Sequence, residues 1–145
     1  PYATLYYAIY ENIFLKTHQE NLLFYRRFID DVFGIFLTSP HSHTTQQSWQ
    51  LFQKSMNSAP GLSWEFSDLE LSVNFMDLTI RIERDKLHTT LYEKPLNLHL
   101  YIPPHSAHPP GFLPGMIHGN VHRILSLCSN HDDATKHIQK FYDRL

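Results

Sequence analysis

The spacing of apolar residues changes along the chain, and each change predicts a different element. Residues 2–16 open on Tyr2-Ala3-Thr4-Leu5-Tyr6-Tyr7-Ala8-Ile9-Tyr10, which is apolar on every side of a helix and predicts one buried all round. Buried helices seldom begin a natural chain, so this opening points to a fragment. Leu22-Leu23-Phe24-Tyr25 and Val32-Phe33-Gly34-Ile35-Phe36-Leu37 are apolar enough for strands buried on both faces, and predict a β-hairpin over residues 22–37. Ser39-Pro40-His41-Ser42-His43-Thr44 reads as a loop, with Thr44 or Thr45 capping a helix on whose face Trp49, Phe52 and Met56 recur. Ala59-Pro60-Gly61 ends that helix. Residues 62–66 read as a short strand. Over residues 74–83, Met76, Leu78, Ile80 and Ile82 alternate with Asp77, Thr79, Arg81 and Glu83, the period of two of a strand. Arg84-Asp85-Lys86 turns the chain, and residues 87–92 return as its partner.

The end of the chain changes character. Pro95, Pro103, Pro104, Pro109, Pro110 and Pro114 make residues 95–113 an extended connector, because proline lacks the donor that helix and sheet need. Two helices follow. The first, over residues 114–129, sets Ile117, Val121, Ile124, Leu125 and Cys128 on one face. The second, capped by Asn130 or Asp132, aligns Ala134, Ile138, Phe141, Tyr142 and Leu145. Together they predict a helical hairpin at the end of a mixed α+β chain.

Composition narrows the classes. At 145 residues and 42 % hydrophobic residues, the chain is one domain or part of one, with enough apolar matter for a packed core. The start lacks the basic region of a signal peptide, and no uncharged apolar run approaches the roughly 18 residues of a membrane span. A single cysteine, Cys128, excludes an internal disulfide and fits a reducing, intracellular setting. With 12 Lys and Arg against 14 Asp and Glu, the charge counts against a strong, non-specific nucleic-acid binder.

The candidate chemistry sits in Phe28-Ile29-Asp30-Asp31-Val32. Two adjacent carboxylates at the tip of an apolar hairpin repel one another, and a divalent cation relieves that repulsion. Asp-Asp pairs also serve ordinary turns by bonding their own backbone. His118 and His122, four residues apart on a predicted helix, with Cys128 and His131 beyond, raise zinc as an alternative, but one cysteine and no well-placed acid argue against it. Cys128 itself reads as a small core residue. His105 and His108 read as surface groups, and Asp77 as an acid on the solvent face of a strand. Tyr92-Glu93-Lys94-Pro95 either grips a sugar-phosphate backbone or simply ends its strand.

These segments, in this order, resemble the reverse-transcriptase domain of Penelope-like retroelements. Pro1-Tyr2-Ala3-Thr4-Leu5-Tyr6-Tyr7 is similar to that family's palm helix, and Phe24-Tyr25-Arg26-Arg27-Phe28-Ile29-Asp30-Asp31-Val32-Phe33 to its catalytic Asp-Asp hairpin. Val73-Asn74-Phe75-Met76-Asp77-Leu78-Thr79-Ile80 resembles the family's F-L-D-L strand. Leu91-Tyr92-Glu93-Lys94-Pro95-Leu96-Asn97-Leu98-His99-Leu100-Tyr101 resembles its Y-R-K-P stretch, His105-Ser106-Ala107-His108-Pro109 its S-S-H-H-P, and residues 117–129 its thumb helix. The resemblance spans nearly the whole chain.

It implies a partial right-hand polymerase palm, an antiparallel sheet with packed helices, followed by a helical thumb-like region. The palm-like part would cover residues 1–94, the connector 95–113 and the thumb-like part 114–145. Asp30 and Asp31 would be catalytic ligands of a two-Mg²⁺ site, with Asp30 the direct one. Tyr92, Lys94 and Pro95 would border the primer, and Arg123 would touch the nucleic-acid backbone. RNA template and DNA primer are then the partners, with other protein subunits besides, no membrane, and a nuclear location for an active retroelement protein. The family's first catalytic aspartate and its fingers lie upstream of the palm helix and are not in this sequence, so the chain alone is expected not to polymerise. Glu93 stands where the family often has arginine. The alternative is a non-catalytic remnant that serves as a structural or protein-binding subunit. A small metal-dependent nuclease is a more distant one.

Overall fold

The opening apolar run forms a helix, α1 (Tyr2–Thr17), whose two deepest side chains, Tyr7 and Phe14, lie seven residues apart on one face. The structure, a computed structural model, describes residues 2–38, 42–97, 101 and 107–145, without the side chains of Ser42 and His43. The expected loop at residues 39–41, residues 98–100 of the Y-R-K-P-like stretch, and residues 102–106 of the connector with His105 lie outside these residues. After α1 come β1 (Leu22–Phe28), β2 (Asp31–Phe36), α2 (Ser42–Met56), β3 (Ser72–Phe75), β4 (Leu78–Glu83), β5 (Lys86–Leu91), α3 (Phe112–Leu127) and α4 (His131–Asp143). The fold is mixed α+β with two small antiparallel sheets, and its contacts divide it into Pro1–Leu69 and Glu70–Leu145. This division groups the three-stranded sheet with the two terminal helices. Among the described residues, no helix is long and apolar enough to cross a membrane.

In the first unit α1, α2 and the β1–β2 hairpin close on an aromatic core. Phe14 meets the rings of Tyr25 and Phe52 edge-on at 5.5 and 5.8 Å, and Phe36 meets Trp49 at 5.3 Å. Such tilted pairs match the positive ring edge to the negative face. Trp49, Phe52 and Met56 do form the inner face of α2. That helix starts at Ser42, which puts Thr44 and Thr45 inside its first turn rather than at its cap. His18 is buried beside the core, and its Nε2 lies 2.9 Å from the Ser55 hydroxyl. Gly34 sits close to its neighbouring strand: a Cβ there would come within 3.2 Å of the Phe24 carbonyl, next to the register shift between Leu22 and Phe24.

Three expectations are corrected here. The first concerns α1, which is not buried all round: Tyr2, Leu5, Ile9 and Ile13 are 62–86 % exposed and form a stripe along its outer side. Residues 62–66 are not a strand. The Asn57 side chain accepts from the Trp64 amide at 2.6 Å and donates to the Trp64 carbonyl, so one amide side chain replaces a strand partner. The third correction is in the second unit, where residues 74–83 are not a single strand. Met76 and Asp77 form a two-residue turn between β3 and β4, with Phe75 opposite Leu78. Partners across such a turn share a face, so Val73 and Phe75 join Leu78 and Ile80 while Met76 is left 41 % exposed.

The β4–β5 hairpin is as expected, with Glu83 opposite Lys86. Its turn residues Arg84 and Asp85 both take left-handed φ, 49° and 62°, as a type I′ turn requires. Helix α3 begins two residues earlier than expected, because Pro114 sits in the first turn, where helix N–H groups have no internal partner. The second unit's core joins Ile124, Ala134 and Phe141, with Ile117, Val121, Cys128 and Ile138 packed against it. Leu125, Tyr142 and Leu145 are exposed instead. Of the two candidate caps for α4, Asn130 does the capping, accepting from the Asp132 amide at 2.9 Å. Asn130→Ala is expected to cost the second unit about 1 kcal/mol, measured by urea unfolding.

Candidate functional site

The Asp-Asp pair lies where its spacing predicts. Strands β1 and β2 pair with Phe28 opposite Asp31, so Ile29 and Asp30 make a two-residue turn and Asp31 is the first residue of β2. Both acids are exposed at the tip. Ile29 has φ 56°, and a β-branched side chain in the left-handed region crowds its own backbone, at a cost of about 1–3 kcal/mol. Its side chain is also 66 % exposed, so burial does not offset the strain.

Behind the tip lies a network that the sequence did not disclose. Tyr25 and Arg27 alternate inward along β1 toward α1, where Glu11 is the acid that interrupts the apolar run. Arg27 grips Glu11 with both prongs, Nε to Oε1 at 2.8 Å and Nη2 to Oε2 at 2.9 Å, and the Tyr25 hydroxyl donates to Oε1 at 2.7 Å. The guanidinium lies 5.1 Å above the Tyr7 ring. It also donates to the Thr4 carbonyl at 3.3 Å and to the Ile29 carbonyl at 3.2 Å. The Arg27 and Glu11 side chains are only 8 % and 15 % exposed. Burial alone pushes Glu11 up, but the hydrogen bonds from Arg27 and Tyr25 outweigh it and hold the carboxyl below its ordinary range. Tyr7 is pushed up to about 12, chiefly by burial and then by the Glu11 charge. Tyr25 rises further for the same reasons, with its bond to Glu11 added. Both phenols therefore stay neutral. The signal available in the sequence was an acid and a base each set inside an apolar element, since buried charges are almost always paired.

Asp30 and Asp31 offer carboxylate oxygens, the donors that hard Mg²⁺ takes together with substrate phosphates. Among the described residues no three or more His, Cys, Asp or Glu side chains gather where they could hold a metal. Asp30 and Asp31 are thus two carboxylates with no third metal-binding side chain gathered beside them among the described residues. His118 and His122 stack with ring centres 6.4 Å apart on the exposed side of α3.

The other candidates lie in the second unit. The Tyr92 amide donates to the Asp77 carbonyl at 2.8 Å, which ties β5 back to the β3–β4 turn. Arg123 on α3 meets the Asp77 carboxylate at 2.6 Å, both about half exposed. Asp77 is therefore an acid of a turn paired with a base, not one on the solvent face of a strand. Lys94 and Pro95 are exposed in a turn closed by the Asn97 amide and the Lys94 carbonyl at 2.9 Å.

Glu93 is the hub of this unit. It receives Arg144 at 3.2 and 3.0 Å, with His137 at 3.4 Å and Lys140 at 4.0 Å. The Arg144 hydrogen bonds hold its carboxyl below the ordinary range. The other ring nitrogen of His137 lies 3.2 Å from the Thr90 hydroxyl, itself 3.7 Å from the Cys128 sulfur. An acid–His–hydroxyl line resembles a nucleophile relay, but Arg144 engages both Glu93 oxygens, which makes the line a tether of α4 to β5. Glu93→Ala is expected to lower the second unit's stability by about 1 kcal/mol, after discounting for the water that reaches the pair. Chemical denaturation followed by circular dichroism measures it.

Compared with protein-family models, curated proteins and solved structures, the chain gives no match.

Proposed function

We propose that this chain is a piece of an RNA-directed DNA polymerase of the Penelope-like class, one that contributes the Asp30–Asp31 turn and is inactive without a further segment bearing a third carboxylate. The observation that supports this reading most is the turn itself: two exposed acids at a two-residue hairpin tip, beside an isoleucine held in a strained conformation. A two-residue hairpin loop calls for a left-handed φ there, but isoleucine bears it at a cost that Gly, Asn or Asp would not. Strained residues of this kind cluster at active sites. Bound there with the triphosphate, Mg²⁺ would supply positive charge for attack by the primer 3′-hydroxyl and for the departing pyrophosphate. Asp30 and Asp31 would hold that charge at a fixed place. Tyr92, Lys94 and Pro95 would border the primer. Arg123 would exchange its exposed pair with Asp77 for a backbone phosphate, since surface pairs contribute only about 0–1 kcal/mol.

One observation favours a second reading, a reverse-transcriptase-derived remnant acting as a structural or protein-binding subunit. The exposed stripe on α1 is the kind of contiguous apolar surface that marks interaction sites.

Primer extension separates the two. The full-length protein carrying this chain is expected to extend a DNA primer on an RNA template with Mg²⁺, and Asp30→Ala to reduce extension to background while the melting temperature holds. Equal extension by the two proteins would sink the polymerase reading, and no extension by either would favour the remnant.

A further inference from the structure

We infer that Arg27, clamped by Glu11, is the positioning residue of the Asp30–Asp31 turn, fixing the Ile29 carbonyl so that the strained turn keeps its two acids at the tip. This rests on the metal-binding reading of the turn.

The argument begins with an imbalance. A two-residue hairpin loop normally places Gly, Asn or Asp where the left-handed φ falls, because those residues bear it at little cost. Here Ile29 bears it, while Asp30 and Asp31 follow. Local chemistry therefore does not favour this turn. The pairing of β1 with β2 imposes the φ, as the pairing of β3 with β4 does at Met76, and a contact from outside the turn helps to hold it. The guanidinium of Arg27 is the group that does so. Three of its nitrogens are spent on Glu11, Thr4 and Ile29, and its place above the Tyr7 ring removes most remaining freedom. Arg27 thus links the turn to two points two helical turns apart on α1, Thr4 and Glu11. Tyr25, bonded to the same carboxylate, fixes Glu11 in turn. Lysine has the charge but not the fork, and reaches one partner where arginine reaches three. The arrangement is that of an outer partner that orients ligands without touching the metal, and changes to such partners cost about 10- to 100-fold in metal affinity.

The test uses Mn²⁺ as a paramagnetic probe and nuclear magnetic resonance on the chain. Glu11→Gln/Arg27→Met removes the pair without stranding a buried charge, and Arg27→Lys keeps the charge while losing the reach to Ile29. In the parent chain, Mn²⁺ is expected to broaden the amides around Asp30 and Asp31 first, and the coupling across the Ile29 N–Cα bond to report a positive φ. Both variants are expected to relax that φ and to weaken Mn²⁺ about 10-fold or more, with tryptophan-monitored melting showing them folded. Unchanged φ and unchanged Mn²⁺ affinity in a folded Arg27→Lys chain would overturn the inference. If the parent turn takes no Mn²⁺ yet Ile29 relaxes in the variants, positioning by Arg27 stands and the metal reading falls.

Discussion

Replacing Phe14 with alanine is expected to destabilise the first unit by about 3–5 kcal/mol, a large share of the roughly 5–15 kcal/mol that holds a natural domain folded. Phe14 is 2 % exposed, and its ring touches those of Tyr7, Tyr25 and Phe52, so its loss opens a cavity where α1, β1 and α2 meet. A partner ring cannot collapse into that space without abandoning its own contacts, which puts the cost in the upper part of the range for large-to-small changes. Both tryptophans, Trp49 and Trp64, belong to this unit, so fluorescence reads its unfolding alone. The expected result is a fall in the fluorescence-detected melting temperature on the order of 15 °C or more. A shift of only a degree or two would show that Phe14 is not central to this core.

The elements most legible in the sequence were those whose pattern admits one geometry. The Asp-Asp hairpin reads correctly in place, because two apolar runs flank a break too short for anything but a tight turn. It does not read correctly in burial: the strands expected to be buried on both faces leave Leu23, Phe24 and Phe28 exposed, since only the face with Tyr25 and Arg27 packs on α1. The β4–β5 hairpin reads correctly because Arg84-Asp85 sits between alternating segments. Alternation failed at residues 74–83 for a definite reason: a two-residue turn conserves the rhythm of apolar and polar positions while exchanging their faces. Met76-Asp77 therefore passes for two more strand residues. Residues 62–66 mislead in another way, since Asn57 supplies side-chain hydrogen bonds that a sequence pattern assigns to a neighbouring strand. The apolar surround of α1 predicts burial on every side, yet the described partners cover only the face that carries Tyr7 and Phe14.

At the candidate site, the two acids were legible from residue type and position. Their support was not. Glu11 and Arg27 lie 16 residues apart in different elements, and only the packing of α1 on β1 brings them together. The same holds for Asp77 with Arg123 and for Glu93 with Arg144, where the fold pairs charges that the sequence leaves unrelated. Glu93, in the place where the resemblance expects arginine, serves as the acceptor of a basic cluster on α4.

The pairing of Glu11 and the burial of His18 together predict a first unit that weakens in two stages as pH falls. His18 is driven below its ordinary pKa by burial, so the unfolded chain takes up a proton at about pH 6.5 before the folded one does. Protons bound preferentially to the unfolded state lower stability, so the first loss runs from about pH 6.5 down to the depressed value of the folded state. Glu11 acts with the same sign at lower pH. Its carboxyl is also depressed in the fold, so its contribution is complete above the unfolded value of about 4.3 and is lost as pH falls through the folded value. Tryptophan-monitored melts from pH 8 to pH 3 are expected to show both declines. His18→Gln should remove the first and leave the second. Glu11→Gln should remove the second and, like Glu11→Ala, is expected to cost about 3 kcal/mol above the pH at which Glu11 protonates in the fold, because either change leaves Arg27 buried without a counter-charge. A melting temperature flat between pH 7 and pH 5 would rule out the His18 stage. An acid limb unchanged in Glu11→Gln would show that the clamp behind the Asp-Asp turn does not hold its charge.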